Sequence, residues 1–458
     1  MLFKSRFTVP AVVAIGFCLI GGTSPAAADI INVPDPPNGI LTIQDGIDAA
    51  APANDDIVVV APGTYVGCIN FNGKAITVRS SDPNDAGVVL STIIDGGGPG
   101  GCGTVVTCDS GEGPDSVLSG FVITGGHAAD IGGGMFNSGS SPTVINCTFI
   151  ENEAHVDGGG MANFNSSPTV TNCSFISNHA ETGGHGGGMM NISSNPTVTD
   201  CTFSKNMANG TGRGEGGGGM FNISSNPTLT HCSFSTNSAG DADGVGGGGV
   251  FNFMSNPTLN NCSFSANTAG NFGGGMCNVD SNPTVTYCSF SSNTTGDIAG
   301  TLGGGMCNSN SSPTVTNCSF IENNAISGAG MYNENNSSPT VTNCSFVGNS
   351  GSVGGGMENV NSSPTVTNCS FIVNTAGVGG GMDTFGGNPT VTNTGFCGNT
   401  PDDDQLHGPF NDGGGNSLEY CWDPSVAKPD PCPGDLDGDG NVGASDLLTL
   451  LFNWGPCP

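Results

Sequence analysis

Three short apolar spots, GGGM, PTV and CxF, recur through the middle of the chain with polar residues between them. Ser140-Ser141-Pro142-Thr143-Val144-Ile145-Asn146-Cys147-Thr148-Phe149 and Gly158-Gly159-Gly160-Met161-Ala162-Asn163 show the unit, which runs from about Gly132 to Asn399. Its prolines fall at 142, 168, 196, 227, 257, 283, 313, 339, 364 and 389, which makes ten copies spaced 25 to 31 residues apart. Such a period belongs to a solenoid, because one unit cannot bury an apolar face alone and must stack on the next. A glycine run and a proline in every copy exclude helix. Thr, Val, Ser and Asn fill the rest, so each copy is predicted to be three short strands joined by three turns.

Side-chain parity adds a bend. Cys147 and Phe149 share one face of a strand, and Val144 joins them only if Asn146 takes a left-handed conformation, which Asn tolerates best after Gly. That position holds Asn in seven copies and Asp200 in another; His231 and Tyr287 are expected to weaken the turn. Two further asparagine series, one at the FxxN position beginning at Asn152 and one beginning at Asn137, are expected to form ladders of amides. Cys147, Cys173 and their successors to Cys369 lack CxxC spacing and read as small buried residues stacked coil on coil. Cys277 and Cys307 sit one coil apart and are candidates to pair.

Before the repeats, Ile43, Ile47 and Ala50 have helical spacing, and the stretch 41–50 is predicted to be a short helix capping the stack. The apolar runs Ile57–Val60, Ala75–Val78, Val88–Leu90 and Val117–Ile123 are bounded by turn residues and read as strands of irregular early coils. Cys102 and Cys108 are a candidate pair, and Cys68 has no evident partner. Lys4 and Arg6, the apolar stretch Val9–Ile20 and Ala26-Ala27-Ala28 read as an export segment over residues 1–28. The remaining units are 29–131, cap and irregular coils; 132–399, the repeat array; 400–431, a second cap and linker; and 432–458, a small tail; Cys397 and Cys421 are candidates to pair and close the end of the stack. No later stretch is long and apolar enough to span a membrane.

Charge narrows the partners. The chain has 458 residues, 38 acids and only 7 Lys and Arg, for a net charge of −31. Nucleic acid is excluded, because phosphate binding needs clustered bases. An anionic polysaccharide would be repelled unless a divalent cation bridged.

GGGMxN followed by FxxN resembles the polymorphic outer membrane protein repeat, whose usual form is GGAI with FxxN. The stretch from Thr42 through Ala61-Pro62-Gly63-Thr64-Tyr65 to Gly73-Lys74-Ala75-Ile76-Thr77 resembles the opening of secreted pectate-lyase-like proteins. Both resemblances imply an all-β chain, a right-handed parallel β-helix solenoid of about a dozen coils. In the tail, Asp435, Asp437, Asp439, Asn441 and Asp446 follow the EF-hand calcium pattern, with Gly440 at the sharp turn. With the following Leu447-Leu448-Thr449-Leu450-Leu451 it resembles the calcium repeat of dockerins, present once here rather than twice. The resemblance implies a calcium-loop and helix unit, Ca2+ as the bound ion and a cohesin-like partner.

Candidate chemistry lies where repeat length varies, between the FxxN corner and the glycine run, so that insertions emerge along one edge. Lys205 and Arg213 stand there beside Glu215, Asp241, Asp243 and His185 as a candidate glycan groove. A basic residue with carboxylates is the equipment of a β-helical polysaccharide lyase, and it is also an ordinary set of solvated loop charges. His155 with Asp157 is a weaker feature, and the six histidines show no ligand spacing along the chain. The expected function is a secreted or surface-associated binding and structural protein, outer-membrane association included, with polysaccharide or cell-surface glycan as partner. The alternative is a polysaccharide lyase or glycoside hydrolase.

Overall fold

The computed structural model describes residues 28–419 apart from 52–54, 182, 210–215, 241–245, 297–299 and 402–403. They form a right-handed parallel β-helix of about 14 coils, with very little helix. Four sheets run the length of the stack or part of it. The threonine sheet has fifteen strands, of which Thr169–Thr171 is typical. The phenylalanine sheet has fourteen, typified by Ser174–Ile176, and the methionine sheet thirteen, typified by Met161–Phe164. The edge sheet consists of seven two-residue strands, from His127–Ala128 to Thr294–Thr295.

Register follows from composition. Each rung meets the next at the equivalent residue, Val170 beside Val198, Phe175 beside Phe203, Met161 beside Met189. A slip by one would put every apolar side chain on the wrong face. Ten phenylalanines from Phe149 to Phe396 consequently stack in one buried column, with ring centroids 4.6 to 4.9 Å apart and nearly parallel planes. The FxxN asparagines form a second column. Asn293 Nδ2 donates to the Phe264 carbonyl and to Asn323 Oδ1, both at 2.9 Å, and Asn293 Oδ1 accepts from the backbone and side chain of Asn267. The Asn137 series forms a third, with amide contacts of 2.8 to 2.9 Å, and it ends weakly at Thr384 Oγ1, 3.4 Å from Asn359.

The corners are left-handed. Asn146 has φ 55°, and Val144, Cys147 and Phe149 all point inward, as the bend requires. His231 and Tyr287 hold the same conformation, at φ 53° and 55°, so the turn is not weakened: ladders above and below fix it whatever the side chain. Two more left-handed corners occur per rung, for example at Ser177 and Ser193.

The glycine run serves close approach. Its first member turns left-handed (Gly158, φ 65°), and a Cβ on its third, Gly160, would strike the Gly188 carbonyl and lie 2.9 Å from the Phe175 ring. The run folds back over the methionine sheet and buries a row of outward side chains, Met190, Phe221, Phe251, Cys277, Cys307 and Tyr332, as a second core.

Helix α1, Ile43–Ala49, lies where the spacing places it, closed by a Thr42–Asp45 capping box. Val88–Leu90 does not form a strand. It lies in helix α2, Ala86–Ser91, because Asp85 caps the amides of Gly87 and Val88 and starts a helical turn. Val117–Ile123 is split by left-handed Gly120 into strands Val117–Ser119 and Val122–Thr124. Cys68 pairs with Cys102, so Cys102 does not pair with Cys108, which is buried and free. Cys277 and Cys307 are also free, as are Cys147 to Cys369 along the ladder. Each ladder thiol donates to a carbonyl two residues back, 3.3 Å for Cys147 to Ile145. Cys397 is disulfide-bonded, while Cys421 lies outside the described residues.

Candidate functional site

The edge sheet is built from the residues just after each ladder asparagine. Asn152-Glu153-Ala154-His155 sits on Asn178-His179-Ala180-Glu181, and that on Asn206-Met207-Ala208-Asn209. The alanines point inward, where only a small side chain fits against the glycine run. The flanking residues point outward and form two rows. One row is His127, Glu153, His179; the other is His155, Glu181, Asn209. A third position two residues further on joins Asp157 to His185.

Imidazoles and carboxylates meet across rungs here. His127 Nδ1 is 3.2 Å from Glu153, His155 Nδ1 is 2.8 Å from Glu181, and His185 Nδ1 is 2.7 Å from Asp157. The Asn209 amide donates to His179 Nε2 at 2.9 Å. The carboxylates of Glu153 and Glu181 face each other across adjacent rungs. The Glu181 carboxylate beside it, helped by partial burial, raises the Glu153 carboxyl above its ordinary range. Glu153, with His155 behind it, lowers Glu181. Ligand atoms of Glu153, His179 and Glu181 also lie within 4.8 Å of one another. Two carboxylate oxygens and an imidazole nitrogen suit a divalent cation.

Lys205 occupies one of the left-handed corners (φ 56°), exposed, just before Met207 of the edge sheet. No ion pair joins it to this cluster among the described residues. Arg213, Glu215, Asp241 and Asp243 lie outside the described residues, as do Asp435, Asp437, Asp439, Asn441 and Asp446 and the export segment through Ala27. None of the described helices is long and apolar enough to cross a membrane.

The edge cluster has a signal in the sequence, but not along one copy. His127, Glu153 and His179 are each 26 residues apart, as are His155 and Glu181, which is the repeat period at that place. Aligning copies on FxxN brings them together. A second acidic pair, Glu358 and Asp383, continues the buried outward row of the methionine sheet beyond Tyr332. Burial pushes the Glu358 carboxyl up to about 7, against hydrogen bonds from Ser327 and Gly328 that favour its charged form, and Asp383 adds repulsion. Asp383 pairs with His407 at 2.5 Å, which raises the imidazole above its ordinary value.

Comparison with known proteins agrees with the architecture. The family model described as the right-handed beta helix region matches residues 68–217. No curated protein sequence matches the chain. Among solved structures it is similar to the pectate lyase Pel9A, at 15% identity and TM-score 0.39 over 72% of this chain and 77% of that one. It is also similar to a mannuronic acid specific polysaccharide family 6 lyase from human gut microbiota, at 12% identity and TM-score 0.43 over 84% and 92%. A third is the GH87 alpha-1,3-glucanase catalytic unit of Streptomyces thermodiastaticus strain HF3-3, at 13% identity and TM-score 0.33 over 86% and 70%.

Proposed function

We propose that the protein is an exported or surface-held, non-catalytic β-helical rod that binds extracellular glycan along its variable edge. The observation that carries this reading is the cross-rung cluster Glu153–His179–Glu181 on the edge sheet, the sheet whose strands lead into the segments where repeat length varies. A loop edge on a rigid stack is where a solenoid presents its ligand surface. The polar cluster favours a neutral glycan, or an acidic one bridged by a divalent cation. The repeat is read as the polymorphic outer membrane protein type. The tail is read as a dockerin-like unit in which Asp435, Asp437, Asp439, Asn441 and Asp446 hold Ca2+ and dock the rod to a cohesin-like partner.

Retention of the purified protein on neutral and acidic glycans, with and without divalent cation, tests the edge. Binding that survives Glu153→Gln, Glu181→Gln and His179→Ala together would refute it. Calorimetry with Ca2+ on wild type and Asp435→Ala tests the tail, and equal binding by both would refute the metal site.

One observation favours a second reading, a carbohydrate-active enzyme. Glu153 and Glu181 have their proton affinities pushed apart, as an acid and its partner base do. Against it, the two carboxylates come within 4.8 Å of each other, nearer than the roughly 5 Å or more that a glycosidase leaves between them. Release of reducing or unsaturated ends from glycans, lost in Glu153→Gln, would establish the enzyme and displace the binding rod.

A further inference from the structure

The opposite character belongs to the outward face of the threonine sheet. From Thr169/Thr171 to Thr390/Thr392 nine consecutive rungs each present two outward positions, and 17 of these 18 are threonine, Asn260 being the exception. Every pair is in register with the next. The first threonine of each pair is exposed from Thr169 to Thr365 and the second is half-buried. None of the outward positions is charged or aromatic, in a chain with 38 acids. No protein hydrogen bond occupies the side-chain hydroxyls of these threonines, so all are offered to water.

Strand propensity accounts for a β-branched residue here, not for this one. Valine and isoleucine serve equally in a strand. The phenylalanine sheet, on the same rungs and with the same alternation, mixes Ile176, Ser204, Ile321 and Val347 outward. The threonine sheet repeats one side chain that carries both a methyl and a hydroxyl, in one stiff rotameric setting per rung.

The spacing is crystalline in two directions. Rungs recur at the 4.6 to 4.9 Å of the phenylalanine column, and the two threonines of a rung stand about 6.6 Å apart along the strand. The water oxygens of an ice surface repeat at similar distances. A neutral array in register at that pitch, roughly 40 Å long, holds hydrating water in a pattern continuous with such a lattice. Charges would orient water against it, and this face has none. The scaffold is already ordered, so little entropy is lost on contact. Individually weak contacts then add along the rungs.

We propose that the threonine face binds ice. The ligand is crystalline water, and the surface is distinct from the loop edge. The test uses the full chain in two measurements, uptake into a slowly grown ice hemisphere and arrest of ice recrystallisation. Wild type is expected to enter the ice and stop crystal coarsening. Thr284→Lys with Thr286→Lys, in the middle of the face, is expected to lose both effects. Ser289→Lys, on the neighbouring sheet of the same rung, is expected to keep them. Should the double variant fail to fold by circular dichroism, Thr314→Tyr replaces it; tyrosine suits a strand but stands above the plane and holds a flat crystal off. Exclusion of wild type from ice overturns the proposal, as does equal behaviour of the two faces' variants. Retention on crystalline cellulose or chitin without any effect on ice also overturns it, and would assign the face to a flat polysaccharide instead.

Discussion

The threonine face and the histidine–glutamate edge are made by the same rungs, yet one repeats a single motif while the other changes at nearly every coil. Outward positions of the edge sheet read His127, Glu153, His179, Met207, Ser238, Thr268 and Thr294 in turn. Outward positions of the threonine sheet read Thr through almost the whole array. Both are solvent-facing, so packing constrains neither. The difference teaches that the stack is specified from inside, by Phe, Asn, Cys and Gly columns, and that its outer faces are free to be uniform or varied according to what they meet. An outer face that stays uniform without a folding reason is therefore informative, and so is a varied one where chemistry-bearing residues from adjacent rungs meet.

The largest expected effect comes from breaking what the two faces share. Phe290 lies between Phe264 and Phe320 in the buried column. Phe290→Ala is expected to cost about 3–5 kcal/mol in urea unfolding. Because each rung is held only by its neighbours, the loss should open coils on both sides and disturb both faces together. Asn293→Leu leaves the buried Asn267 N–H without its acceptor and removes a donor from the Phe264 carbonyl and from Asn323 Oδ1. At about 1–3 kcal/mol for each buried polar group left unpaired, it should rank close behind. A face-specific loss after either change would contradict a shared interior.

The next effect sharpens the comparison by pH. Glu358 is 7% exposed, with Oε2 unpartnered, and its carboxyl stands at about 7 in the folded chain against an ordinary 4.5. A folded-state value raised above the unfolded one favours the protonated form on folding. Its contribution is fully present below about pH 4.5 and is lost as pH rises through about 7. The size is roughly 3 kcal/mol. Thermal melts from pH 4 to 8 should show wild type losing stability across that window. Glu358→Gln should flatten the profile and be the more stable chain at pH 8. An unchanged slope in the variant would mean that another group titrates there.

These residues also show what the sequence could and could not tell. The columns were legible because they recur at one period: FxxN gave the phenylalanine and asparagine ladders, and the positive φ of Asn146 followed from side-chain parity alone. Helix α2 was not legible, since Val88-Val89-Leu90 is too short to show a period and the deciding feature is the Asp85 cap. The Cys68–Cys102 bridge joins residues from different coils, which closeness along the chain cannot rank. The edge cluster was hidden for the same reason: its spacing is that of the rungs, so a search for ligands a few residues apart passes over His127, Glu153 and His179. Glu358 looked like any residue after GGGM, and only the glycine run folded over it makes it buried.

The smallest effect is expected at the edge, and it separates binding from folding. Glu153 and Glu181 are each about one third exposed, and their histidine partners are more so. Exposed pairs contribute little because water and salt screen them. Glu153→Gln should therefore change stability by no more than about 0.5 kcal/mol. It should nevertheless remove the elevated carboxyl titration that NMR would record for wild type. A large loss of stability would make the cluster a brace for the rungs. A small loss with the titration abolished would leave it as chemistry carried on a scaffold that does not need it, which is the condition the threonine face must also meet if its uniformity is to be assigned to a ligand.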